Sequence, residues 1–240
     1  MNQLKNKTAI VTGGGTGIGA GVALALAAEG ANVVVCGRRL QPLQAVVEQV
    51  QAKGVQGVSV QADVSVETDV QQVIDSTLET FGRVDIVINN AGIGGGGYIH
   101  KHDVDTWDRV MAINLRGPFL FARKVLPLMR DQHSGHIINI SSESGIEYYQ
   151  GNGAYGVAKH ALNALGEFMQ RENQEFGIRV NTICPGMVIT EMTEKSAGLN
   201  HEKSMQPEDI ADLVIWLLSR RPNIKIGLPV LIQTMENPWA

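Results

Sequence analysis

The strand-like runs of this chain are apolar at nearly every position. "KTAIVTG" (7–13), "ANVVVCG" (31–37), "VSVQADV" (58–64), "RVDIVINNAG" (83–92), "GHIINISS" (135–142) and "IRVNTICPG" (178–186) do not alternate polar with apolar residues. A strand with one wet face must alternate, so these runs predict a sheet covered on both faces, which is the habit of parallel sheets. Helical patterns fill the intervals, and repeated right-handed strand–helix–strand units wind an open sheet in two directions. The expected architecture is therefore α/β: a doubly wound open parallel sheet of about seven strands with helices on both faces.

The helix boundaries follow from local chemistry. Pro42 suits the first turn of a helix opened by "LQPLQ", and Gly54 suits its C-terminal end. Ser65 is placed as an N-cap, and Gly82 closes the same helix. One long helix is expected over Thr106–Arg130, another from Tyr155 to about Phe176, and a last one in "QPEDIADLVIWLLSR" (206–220). The seventh run, "IKIGLPVLIQ" (224–233), contains Pro229, which belongs on an edge strand. No linker, charge block or second-domain signal interrupts the chain, so one domain spanning 1–240 is expected.

Composition narrows the function classes. A hydrophobic share of 44% and a charged share of 18% fit a globular core and exclude extended disorder. A net charge of −4 offers no basic footprint for nucleic acid. No apolar run reaches membrane-spanning length, and the start lacks a long apolar leader, so the expected compartment is the cytoplasm. Cys36 and Cys184 lie in apolar strands and read as buried free thiols rather than a disulfide. The pairs His100/His102 and His133/His136 have no carboxylate or cysteine set at metal-ligand spacing, so no metal is expected.

"TGGGTGIG" (12–19) falls between the first strand and the first helix, with Gly13, Gly17 and Gly19 in a Gly-x-x-x-Gly-x-Gly spacing. Glycines there let the backbone turn tightly and approach a pyrophosphate, while the helix N-terminus offers free N–H groups. The loop lacks the Gly-Lys-Ser/Thr ending of a nucleotide-hydrolysing loop, which favours a dinucleotide. Gly15, Thr16 and Ile18 belong to the same candidate site. A second glycine-rich stretch, "GIGGGG" (92–97), reads as a loop laid against a ligand.

Tyr155 and Lys159 stand four apart in a helical segment and share a face. Such a pair can be surface decoration, or a phenol held beside a positive charge. Read with the glycine loop, the whole pattern resembles the short-chain dehydrogenase/reductase family, from about Lys7 to Leu218. The motifs occur in order: Gly13, Gly17 and Gly19; Asp63 in "ADV"; "NNAG" (89–92); Asn114; Ser142; Tyr155 with Lys159; and "PGMVIT" (185–190). Ser142, not its neighbour Ser141, stands thirteen residues before Tyr155 as the family pattern asks.

The resemblance implies a Rossmann fold and a set of roles. Tyr155 would be the general acid, with Lys159 its charge partner and ribose ligand. Ser142 would bind the carbonyl, and Asn114 would anchor a proton-relay water. Asp63 and Val64 would contact adenine. Asn90, Ala91 and Gly92 would line the cofactor path, Ile189 and Thr190 would lie beside the nicotinamide end, and Pro185, Gly186 and Val188 would also bind the cofactor. Lys159 and an oxidised nicotinamide would both favour the phenolate of Tyr155. A homotetramer or homodimer is implied, built through the Thr106–Arg130 and Tyr155–Phe176 helices, with "LVIWLL" and the tail to Trp239 as a second interface.

The end of the second strand, "VVVCGRR", points to the coenzyme. NAD-preferring sites place an acidic residue there, whereas arginine suits a 2′-phosphate. Gly37 occupies the acidic position, and Arg38 or Arg39 can grip a phosphate, so NADP(H) is favoured and NAD(H) possible. Thr16 stands where some NADP-using relatives carry a basic residue. Substrate choice is assigned to Glu191–Gln206 and Glu147–Asn152, with Tyr148 and Tyr149 as candidate pocket residues. The favoured activity is interconversion of a carbonyl and a secondary alcohol on a small-molecule substrate. The rivals are an NAD-preferring alcohol dehydrogenase and a non-catalytic dinucleotide sensor on the same fold.

Overall fold

The computed structural model describes residues 3–227 and 229–239; Leu228, part of the seventh apolar run, lies outside the described residues, as do Met1, Asn2 and Ala240. Seven strands form one sheet: β1 (Thr8–Thr12), β2 (Asn32–Gly37), β3 (Gly57–Gln61), β4 (Ile86–Asn89), β5 (Gly135–Ile140), β6 (Ile178–Pro185) and β7 (Val230–Ile232). Their order is β3-β2-β1-β4-β5-β6-β7, and every pairing is parallel. Pro229 directly precedes β7 at the sheet edge, as expected.

The helices are α1 (Gly17–Ala28), α2 (Leu40–Gln51), α3 (Glu67–Phe81), α4 (Val104–Met111), α5 (Gly117–Asp131), α6 (Gly153–Asn173) and α7 (Pro207–Leu218). Successive strand residues feed opposite faces, which explains the uninterrupted apolar runs. Ala9, Val11, Val33, Val35, Ile86 and Ile88 pack with α1, α2 and α7, whereas Ile10, Val34, Val87 and Ile137 pack with α3, α5 and α6. Both cysteines are free and buried, and burial pushes the Cys36 thiol up to about 12.

Two helix boundaries differ from expectation. Ser65 does not cap α3; its N–H and hydroxyl both donate to Asp63, and Val66 takes the N-cap position. The long helix begins at Val104, where the Asp103 side chain accepts from the Thr106 N–H, and it is broken by a π-helical turn over Ala112–Arg116. Gly82 closes α3 in the left-handed conformation, φ 71°.

Candidate active site

The sheet order reverses between β1 and β4, since the chain leaves β1 toward β2 and β3 but places β5 to β7 beyond β4. Loops at such a switch point diverge and leave a crevice at the carboxyl ends of the strands. Here it is a cleft of about 760 Å³, lined by residues that follow each of the first six strands, among them Gly13, Arg38, Asp63, Asn90, Ser142 and Gly186.

At its floor the glycine loop fits an anionic group. Gly13 sits at φ +62°, a left-handed conformation open to glycine. A side chain at Gly19 would collide with the Gly13 carbonyl oxygen, so the loop closes tightly on itself. Thr16 is the N-cap of α1 but makes no side-chain capping bond, which leaves the first-turn N–H groups to a ligand. Gly13, Thr16, Gly17 and Ile18 line the cleft. Gly15 and Gly19 do not, contrary to expectation: Gly15 backs onto Pro42 and Leu43, and Gly19 onto Gly13, so both shape the loop from behind. Asn90 braces the same loop, its Nδ2 donating to the carbonyls of Thr12 (2.9 Å) and Gly13 (3.2 Å), while the Thr12 hydroxyl receives the N–H groups of Asn90 and Ala91.

The end of β2 separates its two arginines. Arg38 is exposed on the cleft wall, its backbone carbonyl fixed by the Gln61 amide. Arg39 instead reaches across the cleft mouth to Glu191, with Nη2 at 2.6 Å from the carboxylate. Gly37 has room, since an added Cβ would come no closer than 3.7 Å to the Leu43 side chain. Asp63 lines the cleft beside Val64, but its carboxylate accepts from Ser65 and its N–H donates to Asp69. Burial raises the Asp63 carboxyl, yet the Ser65 hydrogen bonds and the charges of Arg38 and Arg109 outweigh it and hold the group below the usual range.

The other end of the cleft gathers Ser142, Tyr155 and Lys159. Ser142 lies two residues past β5 and caps a 3-10 turn, its hydroxyl accepting from the Ser144 N–H at 3.1 Å and lying near enough to Tyr155 to favour its ionised form. Ser141 also borders the cleft but is buried, its hydroxyl donating to the Lys159 carbonyl, so the two serines have different surroundings. Lys159 is buried, with Nζ donating to the Ile140 carbonyl at 2.8 Å and lying 5.5 Å from the Tyr155 ring centroid. Burial lowers its pKa to about 8. Burial also raises the Tyr155 phenol above its ordinary value, only partly offset by the Ser142 hydrogen bond. The expectation of a depressed phenol joins Lys159 to an oxidised nicotinamide; the protein's own groups hold the phenol above its ordinary value.

Asn114 lies in the π turn and is buried, but it does not line the cleft. Its Oδ1 accepts from the Ile93 N–H (3.1 Å) and its Nδ2 donates to the Ile93 carbonyl (2.9 Å), pinning the glycine-rich loop. Gly92 faces it: a Cβ there would stand 2.7 Å from the Asn114 Oδ1 and 3.7 Å from the Lys159 Nζ. Only the first part of the 92–97 stretch meets the cleft, through Gly92, Ile93 and Gly94; Gly95 packs on Val110.

Residues 7–199 match the family model described as short chain dehydrogenase. The chain belongs to this family. An oxidoreductase of Staphylococcus epidermidis is 34% identical over 95% of this chain and 97% of its own length. One from Staphylococcus aureus is 36% identical over the same shares. Among solved structures, levodione reductase superposes with a TM-score of 0.88 at 30% identity, covering 96% of each chain. A metagenomic short-chain oxidoreductase in complex with NADP superposes with a TM-score of 0.85 at 32% identity, covering 98% of this chain and 100% of its own.

In this short-chain dehydrogenase Pro185, Gly186, Val188 and Thr190 line the cleft, and Thr190 abuts Gly17. The stretch assigned to substrate choice contributes Glu191, Met192, Thr193 and Ser196, and the other assigned stretch contributes Asn152. Tyr148 and Tyr149 do not line it: Tyr148 stacks on His160 at 4.8 Å, and Tyr149 lies where the Glu143 charge helps to hold its phenol above the ordinary value, after burial. Sequence reasoning missed Glu143, Ser144 and Met187, all on the cleft wall. Adjacency to Ser142 and position inside "PGMVIT" were the available signals for them.

Proposed function

We propose that this dehydrogenase interconverts a carbonyl and a secondary alcohol on a small molecule, with NADP(H) as the preferred coenzyme, in one domain spanning the chain. The observation that carries this reading is the convergence of Ser142, Tyr155 and Lys159 at one end of a cleft whose floor is a glycine loop at a helix N-terminus. A dinucleotide sensor would have no use for the first set, so the intact trio favours the enzyme.

Gly13, Thr16, Gly17, Ile18, Ala91, Gly92 and the Pro185–Thr190 loop would hold the dinucleotide, and Arg38 a 2′-phosphate. When bound, the nicotinamide supplies or takes the hydride. Tyr155 gives a proton to the substrate oxygen in reduction and takes it back in oxidation. Ser142 donates to the same oxygen, where negative charge develops. Lys159 places a positive charge beside the phenol and favours its ionised form. Because burial keeps the free phenol protonated, a further positive charge in the cleft is required before Tyr155 acts as a base near neutral pH. Asn114 acts as a positioning residue, through Ile93.

Tyr155→Phe removes only the proton-transfer group. Coenzyme affinity should persist while turnover on the best substrate of a ketone, aldehyde and diketone panel falls by about 10²–10⁴-fold. Near wild-type turnover in this variant would overturn the assignment.

A further inference from the structure

Six charged residues are among those that line the cleft: Arg38, Arg39, Asp63, Glu143, Lys159 and Glu191. Arg38 is drawn to Asp63, Arg39 is paired with Glu191, and Lys159 serves Tyr155. Glu143 is left over. Among the described residues it forms no ion pair. One neutral donor holds it instead: the Gln233 amide, in the tail after β7, donates to Oε2 at 2.7 Å. Tyr149, in the 147–152 loop, is close enough for the Glu143 charge to oppose its ionisation.

Its placement is specific. Glu143 follows Ser142 in the same 3-10 turn. Gly186 leaves it room, since a Cβ there would come within 3.1 Å of Oε2. A carboxylate has about four acceptor positions, and one neutral donor leaves most of that capacity unfilled in a residue that lines the cleft. Its charge also opposes ionisation of Tyr155, which works against the reaction unless something else in the filled cleft answers it. Of the groups a substrate can carry, a hydroxyl or ammonium answers it, and an anion makes the conflict worse.

We propose that Glu143 selects the substrate: it accepts a hydrogen bond from a hydroxyl or ammonium group borne close to the reacting carbonyl, and it turns away compounds that carry a carboxylate there. The proposal rests on the reading of this cleft as a carbonyl–alcohol site. The Gln233 contact makes the C-terminal tail a support of that selection.

A matched series of methyl ketones tests it, with NADPH oxidation as the readout. Hydroxyacetone, aminoacetone, 2-butanone and acetoacetate differ in the group beside the carbonyl: hydroxyl, ammonium, methyl or carboxylate. The unaltered protein should prefer hydroxyacetone or aminoacetone over 2-butanone, and should use acetoacetate least; the first two distinguish a hydroxyl from an ammonium preference. Glu143→Gln keeps the size and an acceptor oxygen for Gln233. It should lower the kcat/KM ratio of the donor-bearing ketone to 2-butanone by about tenfold or more, and raise acetoacetate relative to 2-butanone by a similar factor. A merely structural role would lower all four rates together and leave these ratios unchanged, which would overturn the proposal. If Glu143→Gln does not fold, the ranking in the unaltered protein decides: acetoacetate equal to or better than hydroxyacetone and aminoacetone overturns it. Turnover of other carbonyl compounds without this ranking sinks the selection by Glu143 alone. Coenzyme binding with no carbonyl compound of any kind reduced sinks the carbonyl–alcohol reading and this inference together.

Discussion

Gly37 and Lys159 each turn a local property into a measurable behaviour. At Gly37 a side chain meets nothing closer than 3.7 Å, so a carboxylate can be installed without displacing Leu43. Gly37→Asp with Arg38→Ala should therefore reverse coenzyme preference. The unaltered protein should bind NADPH at least about tenfold more tightly than NADH, because a charge-assisted hydrogen bond contributes roughly 1.5–3 kcal/mol. Nicotinamide fluorescence titration measures both constants, and equal affinities would show that Arg38 does not meet the 2′-phosphate. Lys159 carries a buried charge whose pKa falls from 10.5 to about 8 on folding, mainly through desolvation. Below pH 8 the folded chain carries the full penalty of that charge. Between 8 and 10.5 the unfolded chain binds a proton that the folded chain does not, so this group's contribution to stability rises with pH, by up to about 3 kcal/mol. Lys159→Met removes the dependence. Urea midpoints at pH 7 and pH 10 should show the stability of the variant falling relative to wild type as pH rises, and a constant difference would contradict the buried charge.

Among the elements, the π turn between α4 and α5 does the most positioning. One widened turn inside a helix re-aims a side chain without ending the helix, and such turns recur at functional sites. Here it directs Asn114 onto both backbone groups of Ile93. Asn114→Ala leaves that N–H and carbonyl without their partner. The expected loss is about 1–3 kcal/mol in urea denaturation, with Ile93 half-buried and its groups partly open to water. Activity should fall further than this cost explains, because Gly92 and Ile93 line the cleft. A variant with unchanged stability and unchanged turnover would remove Asn114 from the site altogether.

The whole molecule presents apolar surface on its outer helices. Phe119 on α5 and Val157 and Phe168 on α6 are exposed, as are Trp216 on α7, Leu231 on β7 and Trp239 in the tail. Exposed aromatic side chains on neighbouring elements favour self-association. We expect a homodimer or homotetramer through α5 and α6, and light scattering at micromolar concentration should report a mass of at least two chains. Phe168→Asp should shift that mass downward, and a monomer in the unaltered protein would reject the interface.

Local chemistry made much of this protein legible before any coordinates. Strands apolar at every position mean two covered faces, a glycine triplet after the first strand means a loop that can approach phosphate, and an i,i+4 Tyr–Lys pair means two side chains on one helix face. These are short-range consequences of residue type and spacing, so the fold, the loop and the Tyr155–Lys159 pair could be read directly, while Ser142 and the grouping of the three came from the resemblance to the family. What depended on long-range packing could not. No spacing tells that Arg39 meets Glu191, 152 positions away, while Arg38 lines the cleft near Asp63. Nor does any local pattern tell that Ser65 serves Asp63 instead of a helix, or that burial sets the Tyr155 and Lys159 pKa values. Glu143 is the clearest case: beside Ser142 it reads as an ordinary turn residue. Only when the tail brings Gln233 to it, across 90 positions, does its carboxylate stand fixed at the reactive end of the cleft.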